Sequence, residues 1–121
     1  MRIVIASEES STRAAIGMLI AAQPDFELAG EVADIADLLL IVKQERPDLV
    51  VLDWDVLGKR IDTLQALLEL FDEPPLIIAL SVHEEARSAA FDSGVAGFAF
   101  KGDPPSQLLK TIRESQRAGG T

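Results

Sequence analysis

The sequence predicts an α/β fold built on a single parallel sheet, and three observations carry that prediction. Apolar runs and amphipathic stretches alternate five times along the 121 residues. The third and fourth runs, Leu49-Val50-Val51-Leu52 and Leu76-Ile77-Ile78-Ala79-Leu80, are continuously apolar, as strands covered on both faces are. Three runs then close on a residue with chemistry: Asp53, Ser81 and Lys101. Strands joined through helices by short links form a doubly wound sheet with helices on both faces and right-handed crossovers. Ligands bind such sheets at the carboxyl ends of the strands, where these three residues would stand.

The elements follow in order. Strands are expected at Arg2–Ala6, Glu27–Val32, Leu49–Asp53, Leu76–Ser81 and Gly97–Lys101. Ser10-Ser11-Thr12 can cap a first helix to about Ala22, with Ala14, Ala15, Met18 and Leu19 on one face. Asp34 can cap a second, with Ile35, Leu38, Leu39 and Val42 spaced for burial and Pro47 beyond its end. A third, Thr63 to Phe71, carries Leu64, Leu67 and Leu68 and stops before Pro74-Pro75. The fourth runs from Glu84 to Phe91 and ends at Gly94. Ser106 can cap the last, with Leu108, Leu109 and Ile112 facing inward.

Bulk properties exclude several functions. A hydrophobic content of 48% fits one folded domain and argues against disorder. No apolar run is long enough to span a membrane, and no basic leader precedes the first strand, so a cytoplasmic protein without a signal peptide is expected. The absence of cysteine removes disulfides and thiolate chemistry. Eleven basic residues against twenty acidic ones, a net charge of -9, cannot supply the clustered Lys and Arg of a nucleic-acid surface. This segment is expected to bind no nucleic acid and no membrane.

Three segments carry a resemblance that covers essentially the whole chain. They are Leu49-Val50-Val51-Leu52-Asp53-Trp54-Asp55-Val56-Leu57-Gly58, Ile78-Ala79-Leu80-Ser81, and Gly94-Val95-Ala96-Gly97-Phe98-Ala99-Phe100-Lys101. In this order and spacing the chain resembles the CheY-like receiver domains of two-component response regulators. The Gly-x-x-Gly-aromatic-x-x-Lys pattern and the Arg46-Pro47-Asp48 lead-in look most like receivers that precede a LuxR-type helix-turn-helix domain. The resemblance implies a flavodoxin-like (βα)5 sheet in strand order 2-1-3-4-5. It implies that Asp53 accepts a phosphoryl group from a histidine kinase or a small phosphodonor. Ser81 and Lys101 would contact the phosphoryl oxygens, and Phe98 would be the switch aromatic. Glu8, Asp53 and the backbone carbonyl of Asp55 would hold Mg²⁺. The output would be an effector or a homodimer formed through helix 4, strand 5 and helix 5. Residues 1–117 would be the receiver and 118–121 the start of a linker to a C-terminal effector domain.

The sequence departs from that pattern at Ser7, where the family places an acid, so weak Mg²⁺ binding is expected. Val56-Leu57 replaces the usual Met-Pro, and Val82 stands where a small residue is usual and would narrow access to Asp53. Asp55 brings a further carboxylate, which would repel a phosphoryl group or help bind the cation. Crowding of Glu8, Asp53 and Asp55 should raise at least one pKa unless a cation is present. His83, the only histidine, is expected on the surface. Two other functions compete. One is a degenerate receiver that acts as a phosphorylation-independent interaction module. The other is a phosphohydrolase like the haloacid dehalogenases, with Asp53-x-Asp55 as nucleophile and acid/base, although only Asp103 follows Lys101 as a further acid. Beyond phosphoryl acceptance, no enzymatic turnover is expected.

Overall fold

The computed structural model describes residues 1–57, 60, 62, 66 and 69–119. Strands β1 (Arg2–Ala6), β2 (Glu27–Val32), β3 (Leu49–Asp53), β4 (Leu76–Ser81) and β5 (Gly97–Phe100) form one sheet in the order β2-β1-β3-β4-β5. Every neighbouring pair is parallel. Between them run α1 (Ser10–Ala21), α2 (Ile35–Glu45) and the single turn α3 (Trp54–Leu57). A 3₁₀ turn at Glu84–Ala86 leads into α4 (Arg87–Asp92), and α5 (Pro105–Gly119) closes the domain. This is the expected doubly wound architecture and strand order. β5 stops at Phe100, which leaves Lys101 as the first residue past the strand.

Period-two alternation divides the core into two layers. Val4 and Ala6, Val50 and Leu52, and Ile77 and Ala79 pack with Leu38 and Val42 of α2 on one face. Ile3 and Ile5, Leu49 and Val51, and Ile78 and Leu80 pack with Ile16 and Ile20 of α1 and Ile112 of α5 on the other. Both faces of β1, β3 and β4 are thus covered, which is why those strands read as unbroken apolar runs.

The helices differ from expectation in instructive ways. α1 buries Ile16, Gly17 and Ile20, whereas Met18 is 75% exposed and Ala14 and Ala15 face solvent. This helix is apolar nearly all round, so periodicity could not choose a face, and the two isoleucines bury more surface than alanines do. Its cap position is Glu9, with no side-chain capping bond. α2 behaves as expected: the Asp34 carboxylate accepts from the Asp37 N–H at 2.8 Å, and Ile35, Leu38 and Val42 are buried. α5 opens at Pro105, one residue before the expected cap Ser106, because proline at a first helical position gives up only an N–H that would be unbonded anyway. Leu108 and Ile112 are buried as expected. The helix expected over Thr63–Phe71 rests on 63–65, 67 and 68, which lie outside the described residues, as do Gly58 and residues 120 and 121 of the expected linker. No helix among the described residues is long and apolar enough to cross a membrane.

Two glycines of the Gly-x-x-Gly segment have separate jobs. Gly94 adopts φ 101 after α4, a left-handed conformation that an L side chain reaches only with strain. A Cβ on Gly97 would lie 2.9 Å from Ile78 Cδ1 and 3.0 Å from Thr111 Cγ2, so its bareness lets α5 approach the sheet. Replacing Gly94 with Ala should lower stability by about 1–2 kcal/mol, read as a shift of the urea midpoint at unchanged slope. An unchanged midpoint would mean that the turn relaxes without cost.

Candidate functional site

Strand order reverses between β1 and β3, and the crevice above their carboxyl ends is the natural ligand site of such a sheet. Register decides which residues meet there. Ala6 pairs with Leu52, so the next residues out are Ser7 and Asp53. Asp53 pairs with Leu80 and Ser81 with Phe100, which brings Ser81 and Lys101 to the same rim. The Lys101 N–H also donates to the Ser81 carbonyl at 2.7 Å. The three residues that close the apolar runs therefore do converge.

Asp53 is 1% exposed, and both of its carboxylate oxygens are engaged. Oδ2 accepts from the hydroxyl of Ser7 at 2.8 Å. Oδ1 accepts from Lys101 Nζ at 3.1 Å and from the Asp55 N–H at 3.3 Å. A buried carboxylate without such partners would be strongly destabilising. Ser7 is itself buried.

The Asp55 side chain turns toward β4. Its Oδ1 accepts from the Ser81 hydroxyl at 2.5 Å, its Oδ2 accepts from the Val82 N–H at 2.9 Å, and Lys101 Nζ lies 3.6 Å from Oδ2. Burial pushes the Asp55 carboxyl up, but the Ser81 and Val82 donors and the positive charge of Lys101 outweigh it and hold it below the usual carboxylate range. The upward shift expected from crowded acids is thus reversed at this residue. Burial likewise pulls the Lys101 ammonium down, while its bond to Asp53 and the charges of Asp53, Asp55 and Glu9 lift it above the usual lysine range. The cation that the acids require is the lysine.

The turn after β1 offers a different acid from the one expected. Glu8 is exposed, whereas Glu9 Oε1 lies 3.5 Å from Lys101 Nζ. Mg²⁺ takes oxygen ligands in near-octahedral geometry. Here every carboxylate oxygen of Asp53 and Asp55 already accepts a hydrogen bond, and a hydroxyl stands in place of the second acid. Among the described residues no three His, Cys, Asp or Glu side chains are grouped to hold a metal. The donor set in this arrangement is a poor fit to the ion.

Farther out, Phe98 is 4% exposed and packs in the layer of Trp54, Ala79, Ala90 and Val95. The Arg87 guanidinium sits 5.0 Å from the centre of its ring. Val82, His83 and Asp103 are exposed, so Val82 presents its backbone N–H to the site and its side chain to solvent. Sequence reasoning missed three features: the Ser7 bond to Asp53, the reach of Glu9, and the grip of Ser81 on the Asp55 carboxylate. Only Ser7 had a readable signal, a small hydroxyl residue directly after an apolar strand beside the Asp53 strand.

Comparison with known proteins agrees with this fold. A family profile described as the response regulator receiver domain matches residues 3–113. The chain is 28% identical over 115 residues to the uncharacterized transcriptional regulatory protein YhcZ of Bacillus subtilis, covering 92% of this chain and 53% of that protein. It is 30% identical over 113 residues to the transcriptional regulatory protein DesR of the same organism, covering 92% and 56%. The chain thus spans about half the length of these curated relatives. Among solved structures, the signal receiver domain of the putative response regulator NarL from Mycobacterium tuberculosis superposes with a TM-score of 0.83 at 20% identity, covering 96% of this chain and 95% of that one.

Proposed function

The chain belongs to the response regulator receiver domain family, and from that premise we propose that Asp53 is its phosphoacceptor. The observation that carries this reading is the meeting of Asp53 with Lys101 at 3.1 Å, beside the Ser81 rim, at the switch point of the sheet. One carboxylate oxygen of Asp53 attacks phosphorus in a phosphohistidine or an acyl phosphate. The new O–P bond forms as the P–N or P–O bond to the donor breaks, and the imidazole or carboxylate leaves with its electron pair. Lys101 neutralises charge on the transferring group, and the Ser81 hydroxyl donates to one of its oxygens. Ser7 holds the other Asp53 oxygen in place.

Receiver domains bind Mg²⁺ in their acidic pocket. In this chain the ion would need Asp53 to release a present donor, and Ser7 offers it no charge, so binding should be weak. The partners we propose are a histidine kinase or a small phosphodonor, and the protein is a cytoplasmic regulator rather than an enzyme with turnover of its own. Residues 118–121 would lead to an effector domain, as the length of the relatives supports. The α4–β5–α5 face, with Phe91 exposed, is the proposed output or dimer surface. The receiver family match favours the acceptor reading over the phosphohydrolase one. A phosphorylation-independent module keeps one observation in its favour: the poor fit of the donor set to Mg²⁺.

The test is labelling by acetyl phosphate. Wild-type protein should take up one phosphoryl group in the presence of Mg²⁺, resolved by phosphate-affinity electrophoresis, and Asp53→Asn should take up none. Labelling that survives in Asp53→Asn would place the acceptor elsewhere.

A further inference from the structure

We propose that the Asp55 carboxylate occupies the seat of a phosphoryl group on Asp53, so that the protein carries its own anion for the switch. The proposal rests on the reading of Asp53, Ser81 and Lys101 just given and adds the regulation of that site.

Three donors converge on Asp55: the Ser81 hydroxyl at 2.5 Å, the Val82 N–H at 2.9 Å and the Lys101 ammonium at 3.6 Å. Two of them are the groups assigned above to the phosphoryl oxygens, and the third is the neighbouring amide. A serine hydroxyl has one proton to give and a backbone amide has one, so an anion on Asp53 and the Asp55 carboxylate cannot both take them. Charge adds to that exclusion, because a phosphoryl dianion beside the Asp55 carboxylate would have to share a single ammonium. The rim of β4 is held accordingly. The hydroxyl of Ser81 also accepts from the His83 N–H at 2.9 Å, which ties the segment after β4 to the same point. Phe98, on the neighbouring strand, lies within the core. The anion that draws the Ser81 hydroxyl into the site is the carboxylate of residue 55.

Two consequences follow. The switch is biased toward its engaged state by the protein itself, and phosphorylation must first displace the Asp55 side chain. A site available in about a tenth of molecules binds its ligand with an apparent dissociation constant raised about ten-fold.

The test uses the 121-residue chain and Asp55→Ala, with beryllofluoride and millimolar Mg²⁺ as the phosphoryl probe. Backbone amide shifts report Ser81 and Val82, and 19F-labelled phenylalanine reports the Phe98 ring. With no probe added, Asp55→Ala should move the Ser81 and Val82 amides and shift the Phe98 resonance. Beryllofluoride should return that resonance to the wild-type position, with a midpoint about ten-fold lower than in the wild type. An unmoved Phe98 resonance together with equal midpoints would overturn the proposal. Should Asp55→Ala fail to fold, Asp55→Asn keeps the shape and loses the charge, and its midpoint should fall in the same direction; an equal midpoint there overturns the proposal too. If neither protein binds beryllofluoride, the acceptor reading fails, and the probe-free shift of Phe98 still decides the role of Asp55.

Discussion

Replacing Lys101 with Met should destabilise the domain by about 1–3 kcal/mol at neutral pH and abolish labelling by acetyl phosphate. The size follows from what the lysine faces. Its ammonium lies 3.1 Å from Asp53, 3.5 Å from Glu9 and 3.6 Å from Asp55, while its side chain is 17% exposed. Removing one member of a fully buried ion pair costs about 3–5 kcal/mol. Partial exposure lets water screen the remaining acids, which reduces the loss. The functional effect is larger, because no other cation among the described residues contacts Asp53. Chemical denaturation at pH 7 measures the first quantity and phosphate-affinity electrophoresis the second. A stable Lys101→Met protein that still labels would remove Lys101 from the site.

The same network has a predictable pH dependence. Lys101 is held above the usual lysine range, so its contribution is complete below the unfolded value and is lost only as pH climbs through the raised one. Asp55 is held below the usual carboxylate range, so its contribution is present above the unfolded value and is lost as pH falls through the lowered one. Between about pH 5 and pH 9 the contribution should be flat, so a loss of stability near neutrality cannot come from these two groups.

Replacing Ser7 with Asp should lower stability in EDTA by about 2–4 kcal/mol, and Mg²⁺ should restore much of it. The hydroxyl of Ser7 donates to Asp53 Oδ2 at 2.8 Å, and both residues are 1% exposed. An aspartate there exchanges a buried donor for a second buried acceptor with negative charge, set against the first. Its pKa would rise sharply unless a cation arrived. The substitution also restores the acid the receiver pattern calls for, so Mg²⁺ gains a ligand and, through binding to the folded state alone, stabilises it. Thermal unfolding with EDTA and with a Mg²⁺ titration separates the two effects. Equal midpoints for wild type and variant in EDTA would show that position 7 tolerates charge, and the account of Ser7 as a needed donor would fall.

Much of this was readable in the chain because strand ends are marked by abrupt changes of polarity. Asp53, Ser81 and Lys101 each end an apolar run, and a parallel sheet has no choice but to bring such ends to one rim. The strand boundaries were readable for the same reason. α1 was not, since Ala14, Ala15, Ile16, Met18, Leu19 and Ile20 clothe almost its whole circumference in apolar groups, and only packing decides which side turns inward. Nor was the direction of Asp55. Its position two residues past Asp53 says that a carboxylate is near the site, but its hold on Ser81 and Val82 depends on how α3 leaves the sheet. Glu8 and Glu9 present the same difficulty: adjacent acids in a turn point to different sides, and spacing does not say which one enters.

The strand order also sets which half of the charge balance is the more durable. β3, which carries Asp53, is hydrogen-bonded on both sides, to β1 and β4. β5, which leads to Lys101, is an edge strand joined only to β4. Edges open more readily than centres, so an edge ladder of the sheet controls the counter-charge of an acid on a central strand. A fluctuation that frees β5 withdraws the ammonium and leaves Asp53 in place with only the neutral donors of Ser7 and the Asp55 N–H. The electrostatic state of the site is thereby coupled to fraying at the margin of the fold.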